Sequence, residues 1–161
     1  MNAIDRVREY LAPYGLADGV MEFTVSSATV ALAAVALGTE EERIAKTLSF
    51  HMKDGGVALI VMAGDAKIDN HKYKAQFATK AKMLSFEEVE PLTGFPVGGV
   101  CPFAPKEGVK IYLDASLRRF ETVYPACGTP ASAIKITPER LFRVCTGCEW
   151  IDVTKTAEEN G

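Results

Sequence analysis

Two apolar runs, Thr47 to Met52 and Val57 to Ala63, are separated only by Lys53-Asp54-Gly55-Gly56, and this pairing constrains the fold more than any other feature of the chain. Asp and Gly tolerate the positive φ of a tight turn, so the runs predict neighbouring antiparallel strands. Helix signals stand on both sides. Ile4, Val7, Tyr10 and Leu11 fall on one helical face that Gly15 stops, and this helix is expected to pack as a lid before a strand-like run, Met21 to Val25. Thr29 caps a helix through Leu37 that Gly38 ends, and Thr39 with Glu42 reads as a capping box for a turn through Ala45. Asp69 begins a Lys-rich helix through Ala78, and Ser85 with Glu88 caps Phe86 to Leu92. Val109, Ile111 and Leu113 alternate with Lys110 and Tyr112 as a half-buried strand does, and Asp114 caps a short helix into Phe120. Thr122 to Tyr124 and Ala133 to Ile136 read as strands flanking the loop around Gly128. Thr137-Pro138 opens a further helix, and Trp150 to Val153 reads as a closing strand. A hairpin among separated helices predicts an α+β, mixed α/β domain rather than a βαβ repeat.

Composition narrows the function classes. The 161 residues make one domain, expected over 1–154 with residues 1–20 as N-terminal helix and connection. Residues 155–161 hold no large apolar side chain and are expected to fray. The net charge of -3 gives no general attraction for polyanions, which argues against DNA and requires any RNA contact to be local. The longest apolar stretch, Val30 to Leu37, falls far short of the roughly 20 residues that span a bilayer, so no membrane partner is expected. Asp5, Arg6, Arg8 and Glu9 interrupt the N-terminus where a secretory signal needs an apolar core, and a cytoplasmic location follows as an expectation. Cys101, Cys127, Cys145 and Cys148 are then reduced thiols.

The candidate motifs divide on context. Cys145-Thr146-Gly147-Cys148 has redox and zinc-knuckle spacing, but it follows a helix and precedes a strand, with no second pair to complete four ligands. A structural role is the better reading. His51 and His71 have no neighbouring nucleophile in sequence, and Gly64-Asp65 lacks the GKS/T of a phosphate loop, so it reads as a turn. Lys46 falls at the end of a predicted helix, where the carbonyl dipole alone favours a cation. Lys67, Lys72, Lys74, Lys80 and Lys82 read as a solvated face rather than an RNA-binding patch. The segment Gly94-Phe95-Pro96-Val97-Gly98-Gly99-Val100-Cys101-Pro102 fits no regular element. Its glycines either bring backbone N–H groups close to a ligand or make a tight turn, and both readings stay open.

Taken in order, Ile44-Ala45-Lys46-Thr47-Leu48 with Phe50, Gly64-Asp65, Gly94 to Phe103, Tyr112-Leu113-Asp114, and Tyr124-Pro125-Ala126-Cys127-Gly128 with Ile134 resemble the YbaK/EbsC family. That family includes the editing domain of bacterial prolyl-tRNA synthetases and its free-standing relatives. The resemblance implies a mixed sheet curled into a barrel-like core with helices around it, and hydrolysis of the ester joining a wrong amino acid to tRNA. It also implies an aminoacyl-tRNA acceptor end as partner, prolyl-tRNA synthetase as a second one, and neither metal nor organic cofactor.

Residue by residue, the resemblance makes Lys46 the anchor for the terminal adenosine, and Gly98 and Gly99 the backbone donors to the developing oxyanion. Thr47, Gly94, Cys101, Ala126, Cys127 and Gly128 are its further substrate-binding candidates. Several relatives read Ser-Gly-Gly where this chain has Ala126-Cys127-Gly128, exchanging a hydroxyl for a thiol. No general base stands out, which agrees with hydrolysis assisted by the substrate's own groups. Cys101 beside the glycine loop is a candidate nucleophile only where Lys46 or a helix end depresses its pKa, and otherwise reads as a small apolar residue. The function expected is trans-editing, with tRNA for proline as substrate and alanine, cysteine or serine as the amino acid removed. The competing reading is a module that binds aminoacyl-tRNA or a synthetase without turnover, and a redox or zinc protein is the weakest reading.

Overall fold

From the N-terminus the elements are α1 (Ala3–Leu11), β1 (Met21–Glu22), α2 (Val30–Leu37), β2 (Ile44–His51), β3 (Val57–Ala63), β4 (Lys67–Ile68) and α3 (Asn70–Phe77). They continue through α4 (Phe86–Thr93), β5 (Lys110–Asp114), β6 (Tyr124–Pro125), β7 (Ser132–Ala133), α5 (Pro138–Val144), β8 (Glu149–Ile151) and β9 (Thr154–Lys155). This is a computed structural model, and it describes residues 1–156. The hairpin organises it. β2 and β3 pair antiparallel from Ala45↔Ala63 to His51↔Val57, and Gly55 turns the chain at φ 94°. Asp54 Oδ1 accepts from Gly56 N–H at 2.9 Å, a local bond that favours the turn.

Around this pair the sheet order is β6-β2-β3-β5-β8, with every other pairing parallel. The fold is therefore the expected mixed α/β type. Among the described residues the sheet does not close into a barrel, because β6 and β8 remain its edges. The pairs β1·β7 and β4·β9 are separate two-stranded sheets. β3 lies in the middle, and from Ala58 to Ala63 every side chain is fully buried.

Side-chain caps set most helix starts. Thr29, Asp69 and Thr137 accept backbone N–H bonds at the starts of α2, α3 and α5, and Ser85 with Glu88 forms the capping box of α4. The Thr39/Glu42 signal resolves differently. Only a 3-10 turn, Glu41–Arg43, forms there, and Ile44 already belongs to β2 because it pairs with Tyr124. Lys46 thus lies inside a strand, not at a helix end. Of the other strand expectations, the run after Gly128 pairs at Ser132–Ala133 with β1, while Val123 and Ile136 form an isolated bridge.

α1 is a core element rather than a lid. Ile4, Val7 and Leu11 join the main core, which runs on to Val153. Asp114 fastens the far end of the sheet, since its buried carboxylate accepts from Ser116 N–H, Val153 N–H and Thr154 Oγ1 at 2.9, 2.9 and 2.6 Å. The fray expected from 155 is not seen at its first two residues, since Lys155 pairs with Lys67 and Thr156 is buried, while 157–161 lie outside the described residues. No helix of the described residues is long and apolar enough to cross a membrane.

Candidate active site

A cavity of about 270 Å³ opens where β6 diverges from β2, between that edge, α2 and the glycine loop. It is walled largely by aliphatic side chains, Val30, Ala33, Ile44, Leu48 and Val100 among them. α2 forms one wall by laying Ala33 and Ala34 against Ile44 while exposing Leu32 and Val35 to solvent. Lys46, Thr47, Gly98 and Ala126 meet at this cavity.

Lys46 is half-buried, and Nζ donates to Gly64 O at 3.3 Å. Burial pulls its pKa below the ordinary lysine value, nearby Asp65 partly offsets that, and Lys67 adds to it. Gly64-Asp65 is therefore the seat of Lys46 and not merely a turn. A Cβ on Gly64 would lie 1.9 Å from Glu41 O and 2.9 Å from Val30 Cγ1, so only glycine lets β3 run under the turn before β2. Asp65 is held in turn by Arg119, with two nitrogen–oxygen contacts at 2.6 and 3.1 Å.

Phe95 and Phe103, both fully buried, pin the ends of the glycine loop in the core. Gly98 sits at φ 86°, and a Cβ there would come within 2.9 Å of Ala28 Cβ. Its N–H has no partner among the described residues, which suits a donor role. Gly99 departs from the expectation. Its N–H donates to Pro96 O at 2.9 Å, closing a turn, and it is spent before any ligand arrives. What requires glycine at 99 is packing, since a Cβ would lie 2.8 Å from the Gly128 carbonyl. The tight-turn reading therefore holds at Gly99, while Gly98 keeps its N–H unengaged among the described residues.

The other candidates stand away from the cavity. Gly94 ends α4 at φ 87°, and its carbonyl accepts from the Arg6 guanidinium at 2.7 Å. Gly128 packs under α1, where a Cβ would meet Ala3 O at 3.1 Å. The Cys127 thiol is buried, and its N–H donates to Ser132 Oγ at 3.1 Å. Cys101 is fully buried with Sγ toward Phe103 O at 3.6 Å, and burial pushes its pKa up to about 12. That environment opposes a thiolate and weighs against Cys101 as a nucleophile. Cys145 and Cys148 are likewise buried with raised pKa values, and Cys148 Sγ donates to Phe142 O at 3.4 Å. No cluster of three or more His, Cys, Asp or Glu side chains among the described residues could hold a metal. Within the Lys-rich segment, Lys72 is tied to Asp152 and to Thr154 O at 3.2 and 2.8 Å.

Sequence reasoning missed Ala28, Leu48, Val100, Tyr124 and Ser132 as cavity residues. Ser132 organises the wall: its Oγ accepts from Cys127 and Thr129 N–H and donates to Thr129 O at 3.1 Å. No local pattern marks it, because its role depends on the return of β7 to β1. Thr47 Oγ1 is the opposite case, a buried hydroxyl without a hydrogen-bond partner among the described residues.

A partly open, largely aliphatic cavity with a half-buried ammonium at its edge defines a small-ligand site. The chain belongs to the aminoacyl-tRNA editing domain family, whose model matches residues 24–144. It is 47% identical to the uncharacterized protein YwhH of Bacillus subtilis over 156 residues, covering 97% of this chain and 99% of that one. It is 28% identical over 149 residues to EbsC of Enterococcus faecalis, named as a Cys-tRNA(Pro)/Cys-tRNA(Cys) deacylase, covering 91% of this chain and 88% of that one. The crystal structure of a protein described as a trans-editing enzyme for prolyl tRNA synthetase superposes with a TM-score of 0.84 at 31% identity, covering 96% and 98% of the two chains. These likenesses run nearly end to end, so the YbaK/EbsC resemblance of the sequence is a family membership.

Proposed function

We propose that this protein is a free-standing deacylase that hydrolyses the ester of mischarged aminoacyl-tRNA, with tRNA(Pro) as the favoured carrier. The observation that supports it best is the meeting of Lys46 and Gly98 at a small, largely aliphatic cavity, in a chain that is 28% identical to a named Cys-tRNA deacylase. Lys46 anchors the terminal adenosine through its phosphate. A flexible ammonium suits that task as a point charge, and its partial burial strengthens the attraction. Gly98 N–H donates to the ester carbonyl oxygen as it gains negative charge.

Water then adds to the carbonyl carbon, the carbon–oxygen ester bond breaks, and the tRNA ribose oxygen leaves with a proton. No carboxylate or histidine of the described residues lines the cavity, so the proton passes through the substrate's own hydroxyl or side chain. Orientation alone is worth roughly 7–11 kcal/mol of barrier, which makes a protein base unnecessary for useful rates.

Single-turnover deacylation of alanyl-, cysteinyl- and seryl-tRNA(Pro), with wild type beside Lys46→Ala, tests this. Release of one amino acid by wild type and a loss of about 100-fold in the variant is the expected result, equivalent to about 2.7 kcal/mol. Retention of all three esters at excess protein would overturn it in favour of a binding module without turnover.

A further inference from the structure

Strand β2 has two neighbours along its outer edge and a gap between them. Near its start β6 pairs with it, and that pairing stops at Ala45↔Pro125. Near its end the chain around Met83 takes over, with Leu84 N–H donating to Ser49 O at 3.1 Å and His51 N–H to Lys82 O at 2.8 Å. Those bonds fix the direction of the main chain. Backbone groups alternate along a strand, so the N–H and C=O groups of odd-numbered β2 residues point away from β3. Ala63, opposite Ala45, agrees: its N–H turns away from β2 and donates to Ser116 Oγ at 3.0 Å.

Thr47 is the odd-numbered residue in the gap. Its N–H and C=O both face outward at the cavity, and no strand of the described residues covers them. The same residue carries the buried Oγ1 that has no partner among the described residues. An unpaired donor and acceptor on one residue form a ready half of a β-bridge.

An amino acid esterified through its carboxyl group carries the complementary half, a nitrogen donor and a carbonyl oxygen on either side of one Cα. Facing residues in a hydrogen-bonded antiparallel pair exchange both bonds. We propose that the main chain of Thr47 recognises the aminoacyl group in this way, its N–H donating to the ester carbonyl oxygen and its C=O accepting from the α-ammonium. The inference rests on the deacylase reading above. It also answers a question of charge, because no Asp or Glu among the described residues lines the cavity and the ammonium must find a neutral acceptor. Thr47 N–H then supplies, beside Gly98 N–H, the second oxyanion donor that Gly99 cannot.

The test uses the 15N-labelled full chain with two stable analogues: 3′-L-alanylamino-3′-deoxyadenosine, and its L-lactyl counterpart, in which a hydroxyl replaces the α-ammonium. The alanyl analogue is expected to bind at least ten-fold more tightly and to shift the Thr47 amide downfield with slowed exchange. Equal binding of the two, no binding, or an unmoved Thr47 amide would overturn the proposal. A main-chain amide-to-ester replacement at Thr47 gives the second readout. It should lower the single-turnover rate at least ten-fold, whereas the same change at His51, which loses only the bond to Lys82, leaves the rate within two-fold. Loss of rate equal at the two positions would also count against the proposal. Hydrolysis by wild type with an unmoved Thr47 overturns this inference alone. A shifted Thr47 without hydrolysis overturns the deacylase reading and leaves the recognition standing.

Discussion

Thr47 Oγ1 and Tyr73 Oη are both buried hydroxyls without hydrogen-bond partners among the described residues, yet the regions that hold them differ in kind. Tyr73 is fully buried in an aromatic cluster, its ring centroid 5.4 Å from Phe50 and 4.7 Å from Phe77, with Phe77 in turn edge-on to Tyr112 at 5.2 Å. The apolar area and ring contacts of that cluster outweigh one orphaned oxygen. Thr47 has no such compensation. It sits beside a cavity, next to a half-buried ammonium and an uncovered strand edge. Unsatisfied polar groups in the aromatic cluster are a tolerated cost, whereas around β2 they accumulate where a ligand can satisfy them.

The sharpest way to break this division is to truncate one residue on each side. Phe50→Ala empties a fully buried position of the cluster and should cost about 3–5 kcal/mol in urea unfolding. Lys46→Ala should leave the unfolding midpoint far less changed while removing most of the deacylation. A Phe50→Ala protein as stable as wild type, or a Lys46→Ala protein that unfolds at comparably low urea, would erase the contrast.

Gly64→Ala probes the boundary between the two. The added methyl group would collide with Glu41 O, a backbone atom that cannot swing aside, and would press on Val30 of the cavity wall. A loss of about 3 kcal/mol is expected, together with slowed deacylation, because the shift displaces the carbonyl that seats Lys46. Gly55→Ala is the reference. No neighbour lies within 4 Å of its added methyl, and only its positive φ resists, for a smaller loss.

The two hydroxyls give the matched comparison. Tyr73→Phe and Thr47→Val each remove a buried oxygen that has no partner among the described residues, so each should raise stability by about 1 kcal/mol. Only Thr47→Val should also slow deacylation. Equal behaviour of the two variants in the activity assay would mean that Thr47 Oγ1 is as incidental to function as Tyr73 Oη.

What could be read from the sequence follows the same division. The caps at Thr29, Asp69, Ser85 and Thr137 were legible because each is a contact over a few residues, and the hairpin was legible because Asp54-Gly55-Gly56 specifies its own turn. The start of β2 was not. Thr39 and Glu42 carry a helix signal, and what overrides it is the pairing of Ile44 with Tyr124, eighty residues away in sequence by their numbering. The family motifs brought Lys46, Thr47, Gly98 and Ala126 to the cavity, but they could not separate Gly98 from Gly99. That distinction depends on which N–H turns back to Pro96. Ser132 reaches the site only through long-range packing and has no local signature.

The smallest expected effect concerns charge at Lys46. Burial is the main cause of its lowered pKa, and Asp65 opposes burial while Lys67 reinforces it. The Lys46 ammonium is therefore lost at a lower pH than in an exposed lysine, and if it anchors phosphate as proposed, acceptor-end affinity should fall correspondingly early on the alkaline side. For folding the sign is the reverse. The unfolded chain holds the proton more tightly, so raising the pH from the depressed folded pKa toward the ordinary value favours the folded state. Asp65→Asn removes the opposing influence and pushes the Lys46 pKa further down. Lys67→Ala should move it back up. Titration of Lys46 by 13Cε chemical shift reads both directions, and an Asp65→Asn value at or above wild type would show that the seat formed by Gly64 and Asp65 acts through shape alone.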